Sequence, residues 1–148
     1  MTIQKIKKTE ILAQDIKSIQ RASNFLKADE LVSFPTETVY GLGASAISNV
    51  AVAKIFAVKG RPKFNPLIVH LAKNEEIYDW ASVTSDAKIL IKNFWPGPLT
   101  LVLNQKNRIP SLATLVTANL NTVAIRVPMN PTARALITEF GSPIAAPS

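Results

Sequence analysis

Three hydroxyls recur at alternate positions in the run from Ser33 to Gly43, SFPTETVYGLG, with Gly41 and Gly43 close behind them. On extended backbone, Thr36, Thr38 and Tyr40 share one side. The glycines let the chain turn, or let a ligand approach bare backbone. An apolar strand running into a polar, glycine-bearing turn and then a helix is a common small-molecule site in α/β proteins. The same residues also suit an ordinary strand–loop–helix connection, and spacing alone weighs the two equally. Neither a P-loop nor a GxGxxG fingerprint is present.

Positive charge supplies the second candidate. Lys59-Gly60-Arg61-Pro62 follows a helical stretch, and Pro62 pushes Arg61 out of helical geometry. An extended Lys59–Arg61 pair projects both cations to one side and suits a phosphate chain, Lys as a point charge and Arg as a bidentate fork. A helix C-terminus also attracts cations, which accounts for Lys59 better than for Arg61. Asn65 either bonds a phosphate or starts a turn.

In Thr122-Val123-Ala124-Ile125-Arg126-Val127, alternation sends Val123, Ile125 and Val127 to the core, and Thr122, Ala124 and Arg126 to the other side. That second side is a shelf fit for a carboxylate, or simply a solvent face. His70 is the only histidine, more often a packed structural residue than a catalyst. Trp95-Pro96-Gly97-Pro98 reads as a helix stop with a packed indole. Ala146 and Ser148 share a side if the last segment is extended.

These groups need a scaffold, and the chain has length for one domain. Its 148 residues are 47% hydrophobic, contain no cysteine, and carry 17 Lys and Arg against 10 Asp and Glu, a formal net charge of +7. Mean hydropathy is +0.17. These values indicate a packed globule with anionic partners (nucleotide phosphates, RNA or acidic lipid), without disulfides or thiolate metal sites. The start, MTIQKIKKTE, is too polar for a secretory signal, and no apolar run approaches the ~20 residues of a membrane span, so the expected location is cytoplasmic.

Helices are expected after Asp15 as N-cap, from Ser48 through Val58, over Asn74–Trp80 and Ser85–Phe94, and over Pro131–Phe140, ended by Gly141. Strands are expected over Glu30–Phe34, Leu67–Leu71, Leu99–Leu103 and Val123–Val127, with Pro143–Pro147 extended and residues 104–121 ambiguous. Alternating helices and strands mean an α/β fold around a twisted mixed sheet.

In order, PTETVYGLG, KGRPKFNPLIVHL, WPGPLTLVL, TVAIRVP and PIAAPS make the chain similar to the YrdC-like family of threonylcarbamoyl-AMP synthases. The resemblance implies a sheet with a large basic cleft. It also implies a reaction joining L-threonine, bicarbonate or CO2 and ATP into threonylcarbamoyl-adenylate and pyrophosphate, with Mg2+ accompanying ATP. That product feeds N6-threonylcarbamoyladenosine formation on tRNA by partner proteins. Carried over, Lys59 and Arg61 act catalytically by charge and position. They also hold ATP, with Asn65, Thr122 and Ser148. Thr36, Thr38, Tyr40, His70, Arg126 and Ala146 surround the threonine, with Arg126 on its carboxylate; no residue is assigned to a metal.

The family's last motif continues past Ser148 to an asparagine two residues on, so the single domain is expected to be incomplete at its C-terminal end. A reading of another class is a basic RNA-binding module in tRNA or ribosome maturation with no reaction of its own. A carbamoyl-adenylate enzyme of hydrogenase maturation shares the domain, but its zinc-finger segment has no cysteines here.

Overall fold

A computed structural model describes residues 8–63 and 65–148; most of the polar start set against a signal peptide lies outside them. Helix α1, Ile16–Lys27, begins where the Asp15 carboxylate accepts from the Ser18 N–H at 2.8 Å. Strands β1 (Val32–Phe34) and β2 (Gly41–Ser45) form an antiparallel hairpin that leads to α2, Asn49–Lys59, capped by the Ser48 hydroxyl. Then come β3 (Ile68–His70), a 3-10 turn (Asn74–Glu76), α3 (Ile77–Trp80), α4 (Ser85–Phe94) and β4 (Leu101–Asn104). The chain closes with α5 (Thr114–Thr117), β5 (Thr122–Arg126), α6 (Pro131–Phe140) and β6 (Ile144–Ala146).

The strands make one six-stranded sheet in the order β1–β2–β6–β3–β5–β4. Only β3 and β5 run parallel, so the expected mixed α/β sheet is what forms. Register partners share a face. Ala44, Ala145, Val69, Ile125, Val123 and Leu101 face one way and are buried in one core with Val52, Ile55 and Phe56 of α2.

On the opposite face, Phe34, Ile144 and Ala146 pack beneath Ala22 and Leu26 of α1 and Ala133, Leu136 and Ile137 of α6. That apolar cover does not extend along β3, β5 and β4. There the same face leaves Ile68, Thr122 and Ala124 partly exposed and Val102 65% exposed. Among the described residues, part of this sheet face, around Ile68, Thr122, Ala124 and Val102, is therefore a bare floor, while His70 and Arg126 on the same face are buried.

Several expectations need correction. Gly41 and Gly43 are neither a turn nor at positive φ; they are residues of β2, a strand the sequence reading missed. They are small because Phe34 lies across them. A Cβ at Gly43 would sit 2.7 Å from both Phe34 Cε1 and Ile144 Cγ2. The single helix expected over Asn74–Trp80 is a 3-10 turn followed by a short α3, and the ambiguous stretch holds α5.

Gly43→Ala should lower the unfolding free energy by about 1–3 kcal/mol through overpacking. Gly41→Ala, whose nearest neighbour is Phe34 Cζ at 3.1 Å, should cost less. Urea denaturation of the two variants measures the difference.

Candidate functional site

Arg126 ends β5 with only 7% of its surface exposed, so its guanidinium must find acceptors inside the protein. Nε donates to Gly97 O at 3.2 Å, Nη1 to Thr38 Oγ1 at 3.3 Å, and Nη2 pairs with Glu37 Oε1. The other Glu37 oxygen accepts from the backbone N–H of Met129 at 2.9 Å and of Asn130 at 3.4 Å. Gly97 is held in turn by its own N–H on Val127 O, 2.8 Å. The Trp95 indole N–H donates to Leu99 O at 2.7 Å, so the Trp-Pro-Gly-Pro stop also carries an acceptor to Arg126.

Burial pushes the Glu37 carboxyl up, but the hydrogen bond and charge of Arg126 and the backbone donors outweigh it, and the group sits below its ordinary range. Sequence reasoning missed Glu37. The available signal was that it is the only acid in the run from Ser33 to Ala46, where an arginine destined for burial needs a countercharge.

The run carrying the hydroxyls is bent rather than extended. Thr36 Oγ1 accepts from the N–H of Thr38 (3.3 Å) and of Val39 (3.2 Å) and donates to Val39 O (2.5 Å). The Thr36 and Thr38 hydroxyls still meet, 3.1 Å apart, beside Arg126. Tyr40 does not share their grouping. It is 72% exposed and lines a cavity of about 910 Å3 between α1, the residues before it and β1.

His70 pairs in register with Arg126 on one side and Ile144 on the other. Its Nδ1 lies 3.0 Å from Ile68 O, which only an N–H there satisfies, and its ring meets Phe34 edge-on at 5.5 Å. Burial first, then the Arg126 charge, push its pKa down to about 4. Near neutral pH it is an uncharged packed residue.

Register determines what gathers at the other end of the floor. Ile68 pairs with both Ala124 and Ala146, so the start of β3, the start of β5 and the end of β6 lie together. Arg61 reaches this end, its Nη2 on Pro66 O at 3.3 Å and its buried Nε without a partner among the described residues. Asn65 is partly exposed, with its N–H on Pro62 O at 3.2 Å. Thr122 stands at the start of β5, and exposed Ser148 follows buried Ala146. The four-residue rise from Thr122 to Arg126 separates the two ends by about 13 Å.

Lys59 and Arg61 are not an extended pair. Gly60 takes the left-handed conformation, φ 58°, and the N–H groups of Gly60 and Arg61 both bond Phe56 O, closing α2. Lys59 is left exposed at the helix terminus. The three cations singled out from the sequence line neither the 910 Å3 cavity nor one of about 520 Å3 beside Trp80 and Arg108.

Residues 24–148 match the Sua5/YciO/YrdC family model, described as telomere recombination. Threonylcarbamoyl-AMP synthase of Bacillus subtilis is 51% identical over 141 residues, 95% of this chain and 40% of the relative. The enzyme of that name from Pyrococcus abyssi is 48% identical over 131 residues, 88% and 38%. The crystal structure of P. abyssi Sua5 complexed with L-threonine superposes with a TM-score of 0.85 at 45% identity, covering 94% of this chain and 40% of that one. That of Escherichia coli YciO gives 0.79 at 25%, covering 92% and 64%. The chain thus spans about two fifths of the length of the synthases from B. subtilis and P. abyssi.

The depressed pKa of His70 has a measurable consequence. Between pH 4 and 6.5 the unfolded chain binds the extra proton, so stability is complete above pH 6.5 and falls as pH drops toward 4. The full loss is about 3 kcal/mol. Urea titrations at several pH values should show this slope in the wild type and a much smaller one in His70→Gln. Matched over residues 24–148 and carried on the same sheet as its relatives, this chain belongs to the Sua5/YciO/YrdC family.

Proposed function

We propose that this chain provides the site for threonylcarbamoyl-AMP synthesis. The amine of L-threonine, as the free base, captures CO2 to give a carbamate and a proton, or bicarbonate to give the same carbamate and water. A carbamate oxygen then attacks the α-phosphorus of ATP and pyrophosphate departs. The observation that carries this reading is the 51% identity to a threonylcarbamoyl-AMP synthase across 95% of the chain. The structure of a 45% identical Sua5 with L-threonine supports an amino acid as one substrate.

The layout of the bare floor suits such a reaction. An amino acid seated by Thr36, Thr38 and Arg126 would direct its amine along Ala124 toward the end carrying Arg61, Asn65, Thr122 and Ser148. Triphosphate there would meet Arg61, whose buried Nε has no acceptor among the described residues. Exposed Lys59 would be its neighbour across the Gly60 turn.

Carboxylate, carbamate and triphosphate repel one another, and crowding them together is the barrier. Fixed cations lower it by position and field, without a nucleophile or general base from the protein. Together these groups would make the basic cleft of the enzyme.

Among the described residues no cluster of three His, Cys, Asp or Glu side chains is arranged to hold a metal ion. Mg2+ would arrive on the phosphate oxygens of ATP and neutralise part of their charge. The adenylate would pass to tRNA-modifying partner proteins for transfer to adenosine in tRNA, a cytoplasmic setting. Among the described residues no helix is long and apolar enough to cross a membrane.

Incubation with ATP, L-threonine and bicarbonate, followed by mass spectrometry, should reveal the adenylate, with the B. subtilis synthase as reference. RNA binding that depends on salt, with no adenylate formed, would overturn the reading. Lys59→Ala and Arg61→Ala should each lower pyrophosphate release by about 100-fold or more, with far-UV circular dichroism unchanged. Arg126→Ala should chiefly weaken L-threonine binding in isothermal titration.

A further inference from the structure

A guanidinium has five N–H groups, and three of those on Arg126 are used inside the protein, on Gly97 O, Thr38 Oγ1 and Glu37 Oε1. The two that remain, one on each Nη, are the only ones able to receive a ligand. Their direction depends on the partners of the other three. Gly97 O and Thr38 Oγ1 are neutral acceptors at 3.2 and 3.3 Å; Glu37 supplies the one charged contact.

Glu37 is itself anchored. Its second oxygen takes the N–H groups of Met129 and Asn130, where the chain leaves β5 for α6. One side chain therefore ties the turn carrying Thr36 and Thr38 to the end of β5, and both to the loop that leads into α6. The pair is enclosed, with side-chain exposures of 9% for Arg126 and 20% for Glu37.

We propose that Glu37 is a positioning residue for the amino-acid end of the site. It aims the two unused N–H groups of Arg126 and holds Thr38 beside them, so that together they receive the carboxylate of an α-amino acid. The inference rests on the amino-acid reading of that end given under Proposed function.

Two effects of removing the acid oppose each other. An unpaired Arg126 attracts anions more strongly, but it loses the contact that sets its orientation and frees the Thr38 turn from β5. Orientation wins, because a two-point hydrogen bond to a carboxylate depends on direction and the released cation would turn toward other acceptors. Glutamine keeps the shape of glutamate, but it presents an amide N–H2 either to the guanidinium or to the Met129 N–H. One contact thereby becomes donor against donor.

The test measures L-threonine binding by isothermal titration in the wild type, Glu37→Gln, Glu37→Asp and Arg126→Ala. In parallel, nitrogen-15 NMR follows exchange of the Arg126 Nε–H. Glu37→Gln should weaken L-threonine at least tenfold and speed Nε–H exchange at least tenfold, while ATP affinity changes less than twofold. Glu37→Asp, which keeps the charge on a shorter arm, should recover part of both losses. If the Gln variant does not fold, Glu37→Asp carries the same two readouts with smaller expected changes.

Wild-type threonine affinity and wild-type Nε–H exchange in Glu37→Gln would overturn the positioning role. Threonine binding that is absent from the wild type, or indifferent to Arg126→Ala, would instead sink the amino-acid reading. The exchange rate would then still decide whether Glu37 orients Arg126.

Discussion

A cation removed from water has to be answered by charge and by acceptors, and in this protein that requirement falls on Arg126. Two separate stretches supply its acceptors, the turn after β1 and the glycine of the Trp-Pro-Gly-Pro stop, and a third, the loop leading into α6, holds Glu37 with its N–H groups. None of them is held in place by regular secondary structure at the contact point. Their geometry is set by the guanidinium and by the carboxylate of Glu37, since leaving either alone in the interior would cost several kcal/mol. The loops at this end of the sheet are consequences of that pairing as much as of their own turn chemistry.

The second determinant is uneven cover. One sheet face is buried in a continuous core, while the other is capped by α1 and α6 over only part of its width. In the capped part, Gly41 and Gly43 leave room for the Phe34 ring over the hairpin, with His70 edge-on to it. His70 also separates the two regimes. On one side it touches the apolar packing beneath α1 and α6, and on the other it is the register neighbour of Arg126. Keeping the ring neutral avoids placing a second positive charge beside a buried one.

The two ends of the bare floor differ electrostatically. At the Arg126 end the charge is matched inside the protein, so that end offers oriented donors rather than net charge. At the Arg61 end the positive groups have no acidic partner among the described contacts, and the buried Arg61 Nε has no acceptor among the described residues. A molecule with a compact zwitterionic head and a polyanionic tail fits that asymmetry better than a uniformly charged polymer does.

What was legible in the sequence was local. Asp15, Ser48 and Gly141 marked helix ends correctly because capping is decided within three or four residues. The alternation in β5 separated Ala124 and Arg126 from Val123 and Ile125 because side-chain direction in a strand follows from parity alone. Five ordered motifs carried the family. What escaped was set by residues far apart in the chain. Gly41 and Gly43 resembled a turn, and only the strand pairing and the nearby ring of Phe34 explain why β2 carries glycine there. Lys59 and Arg61 seemed paired until Gly60 closed the helix between them. Glu37 carried no local pattern, because its partner lies 89 residues away. Short-range sterics and capping are encoded residue by residue, whereas the pairing of a buried charge exists only once the sheet has brought its ends together.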